Sequence, residues 1–215
     1  SAYVGEDGLS KVAPDKMLAG GLDAVVMSVA VSPGPRTAAG YEAAQQLAKA
    51  KLAAAKALAA EEANNAVIAL TPDELINAHE AGKSALLLGF QNALIAGTSV
   101  AAIESFYAEG VRIFALTHMG HNAFADSSRP LFDGATGQRE ATAEHGGLSD
   151  LGIAAIKNIN ELGAIVDISQ LSKQAALQAI ELSTTPVIAS HSNARSLTTV
   201  SRNLSDEELD RLGAT

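Results

Sequence analysis

The sequence predicts an α/β fold, a parallel sheet covered by helices, and two patterns carry that prediction. Short apolar runs alternate with helical patterns along the chain. The apolar runs are continuous rather than alternating, as in strands buried on both faces of a parallel sheet. Two architectures share these features, a TIM-type barrel and an open doubly wound sheet. No G-x-G-x-x-G follows any strand and no Walker A sequence is present, so the nucleotide-binding forms of the open sheet lack their fingerprint.

The first strand is read at Asp23–Val31 (DAVVMSVAV), valine-rich and ended by Ser32-Pro33-Gly34-Pro35. An Ala/Leu/Lys/Gln helix follows; with few large apolar residues it is expected on the outside. The run AVIAL, Ala66–Leu70, is a weaker strand reading. Thr71-Pro72-Asp73-Glu74 opens a helix that runs to Gly82, with Thr71 as cap, Pro72 at the first helical position and Glu74 at the capping-box position. SALLLGF (Ser84–Phe90) is a buried strand, Ala101–Glu109 a helix stopped by Gly110, and Val111–Thr117 another strand. Ser149 caps a helix that stops at Gly163. Ala164–Ser169 is a strand, LSKQAALQAIEL a helix and Pro186–His191 a strand. Ser205-Asp206-Glu207-Glu208 opens the final helix.

Composition excludes several classes. With 47% hydrophobic and 18% charged residues the chain is not intrinsically disordered, and without cysteine it is not a disulfide-stapled mini-domain. Asp+Glu 24 against Lys+Arg 15 leaves a net charge of −9, which repels nucleic acid. No stretch approaches the ~20 apolar residues of a membrane span. No Pro/Gly/Ser-rich linker divides the 215 residues, so one domain, 1–215, is expected. The opening SAYVGEDGLS has neither the basic nor the apolar region of a signal peptide. A mature exported protein would share that, so the compartment, cytoplasmic or exported, stays open.

Polar residues gather at the carboxyl ends of the strands. Gln91-Asn92 follow SALLLGF, His118 ends VRIFALTH, Ser169-Gln170 end AIVDIS and His191-Ser192 end PVIASHS. That edge is where α/β proteins build their sites. A strand-end histidine needs partners for both ring nitrogens, which favours His118 and His191. His79, in mid-helix, reads as a surface histidine. His121 and His145, in a loop rich in Gly, Asn and Asp, suit loop hydrogen bonding or substrate contact equally. Asp126 can fix that loop, and Asp167, inside a strand, can orient a neighbouring side chain. Arg195 and Arg202 would ordinarily be surface charges. Asn203-Leu204-Ser205 forms a glycosylation sequon but doubles as a helix start.

Three segments, LTHMGHNAFADSS, GLSDLGIAAIKNINELGAIVDISQLS and PVIASHSNARSLTTVSRNLSDEEL, resemble in order and spacing the membrane (renal-type) dipeptidase family of zinc peptidases. The resemblance runs from LAGGLDAVVMSVAV to the end. It implies a TIM-like (β/α) barrel with a zinc centre at the carboxyl ends of the strands. It also implies dipeptide hydrolysis, often tolerating a D-residue at the second position, by a metal-activated hydroxide. By resemblance His191 falls on a zinc ligand, and His118 on the histidine that contacts substrate and steadies the oxyanion. Arg202 falls on the arginine that holds the substrate carboxylate. Asn122 and Asp126 of HNAFADSS are further substrate-contact candidates. A homodimer is also implied.

The departures are specific. Gln91 stands where the family commonly has a bridging glutamate, and Gln170 where it has a second histidine. Glutamine is a neutral oxygen donor, so a metal set of His191, Gln91 and Gln170 reduces a binuclear centre to one zinc or none. The family's His-x-Asp pair has no counterpart before Asp23, and its late aspartate none before Thr215. A barrel needs eight strands over ~250 residues. The strands read here match strands 2–6, so a barrel lacking its first and last strands is expected. The leading expectation is therefore a zinc metallodipeptidase. Against it stand a metal-depleted relative acting as a binding protein, and a barrel hydrolase acting on another amide.

Overall fold

Helices and strands alternate as the periodicity requires. The computed structural model describes Glu6, Gly8, Ser10 and residues 13–215. In chain order the elements are α1 (Pro14–Ala19), β1 (Ala24–Ala30), α2 (Ala38–Ala60), β2 (Ala66–Ile68), α3 (Pro72–Glu80), β3 (Ser84–Gln91), α4 (Ala101–Ala108) and β4 (Val111–Ala115). There follow β5 (Phe132–Asp133), β6 (Gln138–Arg139), α5 (Asp150–Glu161), β7 (Ile165–Asp167), α6 (Lys173–Leu182) and α7 (Asp206–Leu212). Hydrogen bonds order the main strands β1-β3-β4-β7, with β2 also on β3. No helix among the described residues is long and apolar enough to cross a membrane.

By internal contacts the chain divides into two units, Ser1–Met27 with Ala50–Leu88, and Ser28–Lys49 with Gly89–Thr215. In the first, β2 pairs with β3 in parallel, Ala66 opposite Ser84. Its buried clusters are small: Met17, Ala66 and Leu86 in one, Ala69, Ala78 and Ala85 in another. Thr71 caps α3 by accepting the Glu74 N–H, and the Glu74 carboxylate accepts the Leu70 N–H at 2.6 Å.

In the second unit β4 pairs with β7 in parallel, Ile113 opposite Ile165. Phe90, at the end of β3, packs edge-on to Phe106 and tilted on Phe114, with ring centroids 5.5 and 5.4 Å apart. Helix α5 buries Gly152, Ala155, Ile156 and Ile159, one stripe at helical spacing. Ser149 and Ser205 cap α5 and α7 as the sequence predicts, and Ser172 caps α6. Within this unit α2 buries Ala44 and Ala48 and leaves Leu47 exposed.

One expected strand is absent. Pro186–His191 keeps a single parallel bridge, Ile188 to Asp167. Beyond it, side chains take the backbone donors that a ladder would use: Ser190 N–H bonds Asp167 Oδ1, and His191 N–H bonds Ser169 Oγ. The β5–β6 hairpin forms in a stretch whose sequence predicts only loop.

Candidate functional site

The second unit brings three strand-end residues together. Gln91 closes β3, Gln170 lies three residues past β7, and His191 ends the segment after α6. The Gln91 and Gln170 amide nitrogens lie 3.1 and 2.9 Å from His191 Nε2. Both glutamines are buried, whereas the His191 side chain is 38% exposed, so the group opens outward at the imidazole. The backbone is strained beside it. Asn92 (φ 80°) and Gln170 (φ 67°) adopt left-handed conformations that cost a non-glycine residue about 1–3 kcal/mol. Asn92 is held by its own side chain, which donates to Val31 O and accepts from Leu94 N. The Gln170 carbonyl accepts from the Ser128 N–H and the Ser128 hydroxyl, while the Ser127 hydroxyl goes to His118 O.

A polar relay stands behind His191. Its Nδ1 is 2.7 Å from Ser190 Oγ, and that hydroxyl donates to Asp167 Oδ2 at 2.5 Å. Asp167 Oδ1 accepts the N–H groups of Ser169 and Ser190. Burial pushes the His191 imidazole below its ordinary pKa; Asp167 opposes this and Arg202 reinforces it. Arg202 is anchored through one nitrogen, Nη2, on the His191 carbonyl at 2.7 Å.

His118, three residues past β4, is half-buried, and its carbonyl accepts the Ser127 hydroxyl. Asn122 and Asp126, expected as substrate contacts, are both engaged by the protein's own groups. Asn122 Nδ2 donates to Asn92 Oδ1 and Leu116 O, and its Oδ1 accepts the N–H groups of Phe124 and Ala125. Asp126, without exposed surface, accepts the N–H groups of Glu144, His145 and Gly147. His121 and His145 complete this loop: the rings reach Ala141 O and Asn122 O, each at 2.8 Å. Of the two readings open for those histidines, loop hydrogen bonding holds. Asp167 orients a neighbour as expected, but that neighbour is Ser190, which no motif singled out.

The zinc that the resemblance implies meets a donor set that does not fit it. His191 offers one imidazole nitrogen; Gln91 and Gln170 are neutral and turn nitrogen, not oxygen, toward it. No group of three His, Cys, Asp or Glu side chains among the described residues is placed to hold a metal ion. Nearby, a cavity of about 380 Å³ is lined by Met119, Arg129, Pro130, Leu131, Phe132, Arg139 and Ser201. Met119 follows His118 and Ser201 precedes Arg202 in the chain.

Comparison with known proteins places the fold and the family. Dipeptidase tcpJ of Claviceps purpurea is 35% identical over 140 residues, 65% of this chain and 31% of that protein. The crystal structure of the probable dipeptidase PvdM from Pseudomonas aeruginosa superposes with a TM-score of 0.88 at 31% identity, over 98% of this chain and 53% of that one. A metallo peptidase from Rhodobacter sphaeroides, solved with a phosphinate mimic of L-Ala-D-Ala, shares the fold with a TM-score of 0.78 at 22% identity, over 91% of this chain and 60% of that one. The chain therefore spans about a third of its curated relative and about half of the first of these structures. The fold is the α/β, TIM-like barrel type of these proteins. The family model for membrane dipeptidases matches residues 4–215, and the chain belongs to that family, peptidase family M19.

Proposed function

We propose that the protein recognises and hydrolyses dipeptides, and that the described residues supply the substrate-holding side of that reaction. The observation that carries this reading is the convergence of Gln91, Gln170, His191 and Arg202 at the carboxyl ends of the strands in a chain of this family. Arg202 uses Nη2 on the His191 carbonyl, leaving guanidinium N–H groups for a paired grip on the substrate carboxylate. Gln170 Oε1, buried and accepting no hydrogen bond among the described residues, suits an amide or amino N–H of the substrate. His118 takes the oxyanion contact. A donor that strengthens as charge develops lowers the barrier rather than the ground state. The cavity beside Met119 and Ser201 is large enough for one substrate side chain.

The trio itself does not fit zinc. Family membership favours hydrolysis over the binding-protein reading. The test is a panel of L,L and L,D dipeptides offered to the full-length protein, with and without chelator. Turnover of at least one class is expected; none under any metal condition overturns the reading. His118→Ala should lower kcat more than it raises KM, and an unchanged kcat would remove His118 from its role.

A further inference from the structure

We propose that His191 holds no metal in this protein, because the carboxamides of Gln91 and Gln170 take the place a cation would have at its Nε2. The inference goes beyond the hydrolase reading and does not depend on it. It rests on where the protons lie. A carboxylate only accepts, so the Ser190 hydroxyl at 2.5 Å points its proton at Asp167 Oδ2. Ser190 Oγ can then only accept at its 2.7 Å contact with His191, which puts the ring proton on Nδ1. His191 Nε2 therefore presents a lone pair. Two amide nitrogens lie 3.1 and 2.9 Å from that lone pair, both hydrogen-bond donors.

A zinc ion would need to stand ~2.0–2.1 Å from Nε2, where those N–H groups now point. Admitting it requires both carboxamides to rotate and give up their bonds to His191. The oxygens they would then offer carry no charge. The carboxylate paired with His191 among the described residues, Asp167, stands 3.9 Å from Nδ1, not at Nε2, and is occupied by Ser169 and Ser190. Among the described residues a divalent ion would thus exchange water for one imidazole and neutral amides, with no second acidic or imidazole group placed to hold it. The Gln170 backbone, at φ 67° with its carbonyl held by the N–H and hydroxyl of Ser128, carries its carboxamide in this register.

The test counts zinc in the full-length protein, stripped by chelator, reloaded with Zn²⁺ alone, desalted and analysed for metal. His191→Ala should retain as many zinc ions per chain as the wild type, because His191 contributes to none. Gln91→Glu with Gln170→His, which supplies a carboxylate and a second imidazole, should gain a zinc ion. A lower count in His191→Ala overturns the proposal, and so does the absence of any gain in the double variant. Circular dichroism screens folding, and His191→Gln carries the comparison should the alanine variant not fold. The readout is metal content, so inactivity toward dipeptides leaves this inference standing, and its failure leaves the hydrolase reading standing.

Discussion

Asp126 shows how local donors override burial. Removal from water disfavours its charge, yet the N–H groups of Glu144, Gly147 and His145, with His121 nearby, hold the carboxyl below its usual value. A carboxyl that is more acidic in the folded than in the unfolded chain stabilises the fold above the unfolded pKa of about 3.9. That contribution fades as pH falls through the folded value. Asp126→Asn should therefore cost about 1–3 kcal/mol at neutral pH and flatten the acid limb of a stability–pH curve. An unchanged acid limb, read by denaturant unfolding at several pH values, would refute this. At Arg202 the expectation is kinetic. Arg202→Lys keeps the charge but loses the fork, so KM for dipeptides should rise roughly tenfold or more while kcat changes little. Asp126 and Asp167 could be named from the sequence as residues that hold others. Their partners could not, because Glu144 and Ser190 stand 18 and 23 residues away.

Among the elements, helix starts are the most legible part of the sequence, since caps bond within a few residues. Ser205 and Glu208 form the reciprocal pair that their spacing predicts, at 3.4 Å for Glu208 N to Ser205 Oγ and 2.7 Å for Ser205 N to Glu208 Oε2. Ser205→Ala should lower stability by about 1 kcal/mol, measured by thermal or urea unfolding. Gly152 is a second case of element chemistry, but one set by packing. A Cβ there would run into the carbonyl oxygen of Phe124. Gly152→Ala should cost about 1–3 kcal/mol despite alanine's better helix propensity; a stabilised variant would show that the loop yields freely. The strand read at Pro186–His191 marks the opposite limit. Its apolar pattern is that of a strand, but the side chains of Asp167 and Ser169 capture the Ser190 and His191 N–H groups and end the ladder at Ile188.

At the scale of the molecule the two units differ in what they bury. The first buries mostly alanine with Met17, Leu52, Leu86 and Leu88, whereas the second buries Phe90, Phe114, Phe124, Ile156, Ile159 and Ile168. Burial free energy scales with apolar area, about 25 cal/mol per Å². Amide exchange should therefore be faster in β2 and α3 than in β4 and β7. Equal protection in both sets would refute this link between side-chain size and local stability.

Residue order alone dictated the α/β alternation, the helix caps and the set of polar strand ends, because each depends on neighbours a few positions apart. The resemblance to the dipeptidase family also marks His191, Gln91, Gln170 and Arg202 as expected site residues. Long-range contacts decided the rest. Asn122 and Asp126 became loop anchors because the loop folds its own donors and acceptors onto them. The two glutamines turn their nitrogens to His191 Nε2, while Ser190 and Asp167 stand at its Nδ1. Sequence can place a glutamine at the end of a strand, but the direction in which its amide faces depends on groups up to 100 residues away.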